Sequence, residues 1–140
     1  MIIDPRTGTL QLSDEAIVSA NTTRAALSGD WEPWLFDQQN MPSGYRLVMD
    51  KLYQGQQGYL IIMFDSAGRG QVSRWLLTID SLLDKKQSKP EGKMTAHART
   101  WFKEFSGVRL PLSAPWGALD AAYDPHNMST YISCSYVAID

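Results

Sequence analysis

YRLVMDKLY (residues 45–53), GYLIIMFD (58–65) and VSRWLLTI (72–79) succeed one another with only short glycine-bearing stretches, 54–58 and 65–70, between them. Each run is rich in β-branched, aromatic and aliphatic residues, and separators of that length and composition make hairpins. The three runs therefore predict an antiparallel meander. Residues 60–64 are apolar at every position, which marks a central strand covered on both faces.

A sheet with such a strand needs a cover, and the chain supplies one downstream. Ala98, Trp101, Phe102 and Phe105 fall at i, i+3, i+4 and i+7, one apolar stripe of an amphipathic helix. The spacing predicts a helix over 95–106, capped by Thr95 and ended by Gly107. Upstream, Ile2–Ile3 and Thr9–Leu12 flank Asp4-Pro5-Arg6-Thr7-Gly8, a turn-forming set, and so read as a first hairpin or edge element. Ala16–Val18 is a further extended piece. Asn21 or Thr22 can cap a short N-terminal helix through Leu27, with Gly29 closing it. Residues 30–43, with two prolines and no sustained period, read as an irregular surface loop.

The C-terminal stretch WGALDAAYDPHNMSTYISCSYV (116–137) reads as two strands about an Asp-Pro-His-Asn turn. Alternation puts Thr130, Ile132, Cys134 and Tyr136 on one face, assigned to the core, and Tyr131, Ser133, Ser135 and Val137 on the other. βαβ alternation is absent. The fold class is therefore α+β: a mostly antiparallel sheet of about five to six strands, one main amphipathic helix on one face and a short N-terminal helix, in a single domain over 1–140.

Composition narrows the functional classes. Net charge is −2, but its distribution is uneven. Residues 1–40 carry six acids against two bases, 85–109 carry two acids against seven bases, and 110–140 carry three acids and no base. Lys85, Lys86, Lys89 and Lys93 lie among Ser, Pro and Gly without interleaved aromatics, the pattern of a solvated loop and not of a nucleic-acid contact. No segment reaches the ~18 apolar residues of a membrane span, and no signal sequence opens the chain. Direct nucleic-acid and membrane partners are thus not expected, and a cytoplasmic location is.

Catalytic chemistry finds little to use. His97 and His126 are the two imidazoles and Cys134 the one thiol. Cys134 sits mid-strand several residues from the turn that holds His126, too far for a nucleophile and its base. Asp120, Asp124 and His126 would share a face as metal ligands only if the strand ran through Pro125, which removes a backbone donor. Asp124 suits a turn former. Residues 65–70 lack the Lys-Ser/Thr pair of a phosphate loop. No catalytic residue, metal or cofactor is assigned. Trp31, Trp34 and Phe36 alternate with Asp30, Glu32 and Asp37 instead, a pattern open to two readings: aromatic anchors on a surface that docks a basic protein, or an inward lid on the sheet.

Ile3-Asp4-Pro5-Arg6-Thr7-Gly8-Thr9-Leu10, Thr22-Thr23-Arg24, Trp116-Gly117, Tyr123-Asp124-Pro125-His126 and Ser133-Cys134-Ser135-Tyr136 together resemble a family of small bacterial immunity proteins. Members accompany polymorphic toxins of the contact-dependent inhibition and Rhs types. The resemblance runs from end to end, but its motifs are turn and strand signatures, so no functional residue carries over. It implies a non-catalytic cytoplasmic protein that binds and neutralises a cognate toxin domain, often a nuclease. Asp30, Trp31, Glu32, Trp34, Asp37, Asp120 and Asp124 are the candidate partner-binding residues, since acidic patches can stand in for phosphate in a basic site. Inhibition at a surface away from the toxin's active site is equally compatible. The alternatives are an oligomeric adaptor or subunit, including a homodimer, and thirdly a small hydrolase using His97 or His126.

Overall fold

The computed structural model describes residues 2–13, 16–23, 26–27, 30–34, 44–64, 71–83, 91–124 and 129–137. In chain order the strands are β1 (Ile3–Asp4), β2 (Thr9–Gln11), β3 (Ile17–Val18), β4 (Glu32–Trp34), β5 (Gly44–Tyr53), β6 (Gln56–Phe64) and β7 (Val72–Ile79). A 3-10 turn (Asp80–Leu82) and helix α1 (Glu91–Ser106) follow, then β8 (Leu112–Ala114), β9 (Gly117–Asp124) and β10 (Ser129–Tyr136). They form a three-stranded sheet, β1-β2-β3, and a seven-stranded sheet ordered β4-β5-β6-β7-β10-β9-β8, with every pairing antiparallel. The meander β5-β6-β7 is as expected. The chain leaves the sheet after β7, crosses through α1, re-enters at the far edge, and fills the gap with β10.

The α+β class holds, but among the described residues ten strands in two sheets replace the expected five to six. In the seven-stranded sheet the excess is β4 and β8, three residues each, too short for alternation to register; β1, β2 and β3 make up a second sheet of their own. Residues 30–43 are accordingly not all loop: Glu32–Trp34 pairs with β5 as an edge strand. Among the described residues the short N-terminal helix is not seen either; Ala26 falls in a 3-10 turn. The Thr22 hydroxyl accepts from Ser19 N–H at 2.9 Å, and Thr22 O accepts from Val72 N–H at 3.1 Å. Thr23 bridges Gln71. Groups that would open a helix are thus committed to a turn and to β7, leaving Ala26 N–H on Thr23 O at 3.1 Å as one tight turn.

Register explains the core. Tyr45, Ile62, Trp75, Cys134, Leu119 and Leu112 stand opposite one another across six strands. Leu47, Leu60, Leu77, Ile132 and Ala121 form the next row. Both rows belong to one hydrophobic cluster, in which Leu60, Ile62, Trp75, Leu77, Leu119, Ile132 and Cys134 are fully buried. Thr130, Ile132, Cys134 and Tyr136 face inward, as alternation predicts.

Helix α1 packs on this face against β9 and β10, burying Met94, Ala98, Trp101 and Phe102. It begins four residues before the expected start. Thr95 lies inside it, its hydroxyl donating to Gly92 O at 3.0 Å, and Lys93 is on the helix, not in a loop. Gly107 ends it as expected, at φ 78° with its N–H on Lys103 O at 2.8 Å. From the end of β5, Tyr53 sets its ring tilted against Trp101 and edge-on to Phe105 and donates its hydroxyl to Glu104 at 2.7 Å.

The small sheet covers the rest of the same face. Ile3, Leu10, Ala16 and Val18 join the cluster. Trp75 Nε1 donates to the Tyr136 hydroxyl at 2.9 Å, which donates to Gly8 O at 2.7 Å, and Trp116 Nε1 donates to Pro5 O at 2.8 Å. Gly8 adopts φ 74°, and a Cβ there would lie 2.5 Å from the Trp116 ring. Only glycine meets both demands.

Candidate partner-binding face

Strand alternation turns the remaining residues of the seven-stranded sheet away from α1. Glu32, Arg46, Ile61, Leu76, Ser133 and Asp120 form one cross-strand row from β4 to β9. Val48 faces Tyr59, which faces Thr78, and Tyr131 faces Ala122 in the row beside it. Among these, Val48 is 38% exposed, and Tyr59, Leu76 and Tyr131 are half-buried. Ile61 is buried but lies outside the main cluster. The expectation that residues 60–64 are covered on both faces therefore holds at Ile61, and Thr78 in the next row is fully buried too, while Met63 stays partly open.

At the β4 end, Asp30, Trp31, Glu32 and Val48 line an open recess of about 390 Å³. Asp30 and Glu32 are exposed, and Trp31 is half-buried against the core cluster. Trp31 both packs against the core cluster and walls the recess. Among the described residues, its buried indole Nε1 has no hydrogen-bond partner. Glu32 is tied to Arg46 across the strands at 3.2 Å. Trp34 stands opposite Gly44 in β4; Asp37 and Phe36 lie outside the described residues.

The other two candidate acids stand apart from this group. Asp120 and Asp124 are on β9, five strand spacings from β4, or roughly 24 Å. Because β8 pairs only as far as Leu119, Asp120 sits where that edge opens. Arg99 of α1 reaches it there with two hydrogen bonds of 2.9 Å. The guanidinium holds the Asp120 carboxyl below its ordinary range, and the adjacent Ala121 N–H, 2.8 Å away, acts in the same direction. Asp124 ends β9 opposite Ser129. The candidate residues are therefore not one patch but two acidic ends of one face.

Residues on the face between them were not singled out by sequence: Arg46, Val48, Tyr59, Arg74, Leu76 and Tyr131. Arg74 donates from Nε to Ser133 Oγ at 2.9 Å, and the Tyr59 hydroxyl donates to Asp80 at 2.7 Å, which raises the phenol above its usual range. Their signal was present in the alternate positions of β5, β6 and β7, once strand order is known. His97 is exposed on α1, and His126 lies outside the described residues. Cys134 is fully buried, and burial pushes its thiol up to about 12, which fits a core residue and not a nucleophile. Among the described residues, no three His, Cys, Asp or Glu side chains group to hold a metal, and no helix is long and apolar enough to cross a membrane.

Among the described residues, a helix and a small sheet close one face of the large sheet, and the other face is mixed in character with acids toward both ends. The RhsI1 immunity protein family matches residues 1–138, and the chain belongs to that family. It is also similar to a chain in the solved structure of Rhs1-CT in complex with its cognate immunity protein RhsI1. That similarity has a TM-score of 0.80 at 34% identity, over 96% of this chain and 85% of that one. No match was found among curated proteins.

Proposed function

We propose that this protein binds the C-terminal domain of a cognate Rhs toxin in the cytoplasm and neutralises it stoichiometrically, with no catalysis of its own. The observation that carries this reading is the likeness over nearly the whole chain to a structure in which a toxin domain is held by its cognate immunity protein. Family membership over 1–138 supports it. The direct test is co-expression. Cells producing the cognate toxin domain should die without this chain and grow with it, and the two purified proteins should form a stable complex. Absence of both rescue and complex would overturn the proposal.

We assign the acidic recess of Asp30, Trp31 and Glu32, with Trp34 and Asp37, to the contact surface, and Asp120 and Asp124 to its far rim. Acids in this arrangement suit a toxin with a basic surface; a nuclease, which must hold phosphate, is one such toxin. Reversing Asp30, Glu32 and Asp37 together should weaken the complex about 10- to 100-fold, since exposed charge pairs contribute ~0.2–1 kcal/mol each and reversal replaces attraction by repulsion. Unchanged affinity in a folded triple variant would remove the recess from the interface.

A further inference from the structure

The acidic recess is only one end of a larger feature. The row Glu32-Arg46-Ile61-Leu76-Ser133-Asp120 carries an acid at each end, and each acid is already engaged by a cation, Arg46 or Arg99. Between the ends lie Val48, Tyr59, Leu76 and Tyr131, partly exposed, with Arg74 exposed beside them. Tyrosine, arginine and aliphatic side chains at the centre with acids at the rim is the composition of an interface whose centre supplies affinity and whose rim supplies orientation. The outer face of α1 differs: its exposed positions include Lys93, His97, Arg99 and Lys103, a solvated basic surface without a large apolar anchor.

Size agrees with this use. Five strand spacings by about seven residues of strand give a footprint of roughly 24 by 23 Å, or ~550 Å² in projection. A standard protein interface takes about 800 Å² of accessible surface from each partner, and accessible area exceeds projected area on a corrugated face. A partner centred here would therefore meet the Asp30–Glu32 recess and the Asp120 edge at once.

We infer that the toxin domain docks on this sheet face, centred on Val48, Tyr59, Leu76 and Tyr131, with an apolar protrusion at its centre. The inference rests on the proposed immunity function and specifies its site. The test measures binding of the purified cognate toxin domain to the full chain and to Val48→Arg, Tyr131→Ala and Lys103→Glu variants, each checked for fold by circular dichroism. Val48→Arg and Tyr131→Ala should each weaken binding tenfold or more, and Lys103→Glu should stay within threefold of the parent. Hydroxyl-radical footprinting of the unmodified protein gives a readout independent of any variant's folding: Tyr59, Met63 and Tyr131 should be protected by toxin. Parent-like binding by both open-face variants, or no protection of those three side chains, would overturn the docking site while leaving the immunity function standing. Failure of the parent chain to bind toxin would overturn both.

Discussion

Tyr136→Phe isolates the joint between the two sheets. The Tyr136 hydroxyl accepts from Trp75 Nε1 at 2.9 Å and donates to Gly8 O at 2.7 Å, both bonds buried. Removing one oxygen leaves an indole N–H and a backbone carbonyl without partners, and an unpaired buried polar group costs ~1–3 kcal/mol. The ring itself stays, 6.0 Å from Trp116, so little packing is lost. The expected destabilisation is about 2–4 kcal/mol after allowing for the hydroxyl's own burial cost. For a domain of this size that is a fall in Tm of roughly 6–12 °C, with the urea midpoint lowered and the urea slope unchanged. Trp75→Phe in the same background should then cost less than it does alone, because its indole has already lost its acceptor. A loss below ~0.5 kcal/mol, or additive single and double variants, would refute the role of the hydroxyl and leave ring packing as the joint.

Gly8→Ala should destabilise by more than the ~1 kcal/mol of a left-handed alanine, since the methyl also meets the Trp116 ring; chemical unfolding measures it. Burial moves the Cys134 thiol from its ordinary 9.0 up to about 12, so between those values the unfolded chain gives up a proton that the folded chain keeps. Stability should therefore fall as pH rises through that window, by on the order of 1 kcal/mol from pH 9 to 10. Cys134→Ala should flatten that limb, and the native thiol should resist alkylation at pH 8. Asp120, held low by Arg99, contributes stability that is present above its unfolded pKa and lost as pH falls through its lowered folded value. Both side chains are partly exposed, so Asp120→Asn should cost less than about 1 kcal/mol; Arg99→Gln should raise the Asp120 midpoint in an NMR titration.

The readable part of this fold was whatever carried its own period. β5, β6, β7, β10 and α1 each have enough alternating or helical positions to declare an inner face, and Thr130, Ile132, Cys134 and Tyr136 were assigned inward from alternation alone. β4 and β8, at three residues each, have no period to read. Thr22 looked like a helix cap because Ser and Thr cap helices; its hydroxyl instead closes a turn with Ser19, a partner choice set by β7 some 50 residues later. The candidate site was half legible for the same reason. Its acids stood out as residue types, but Glu32 and Asp120 fall in one row only because β10 inserts between β7 and β9, and strand order has no local signature.

Three of the five stretches that carry the family resemblance meet at the joint between the two sheets. Pro5, Gly8, Trp116 and Tyr136 meet on the closed side of the large sheet, tied by the hydrogen bonds of Trp116 to Pro5 and Tyr136 to Gly8. The face proposed for the toxin is the opposite one, built from the alternate residues of the same strands. Two sets of side chains on opposite faces of a sheet share a backbone but few contacts, and substitutions at positions with no shared partners act nearly independently. On the face proposed for docking, Val48, Tyr59 or Tyr131 can therefore change with little effect on Trp75, Tyr136 and Gly8, which hold the two sheets together. The proposed docking site thus places specificity on one face of the sheet and stability on the other.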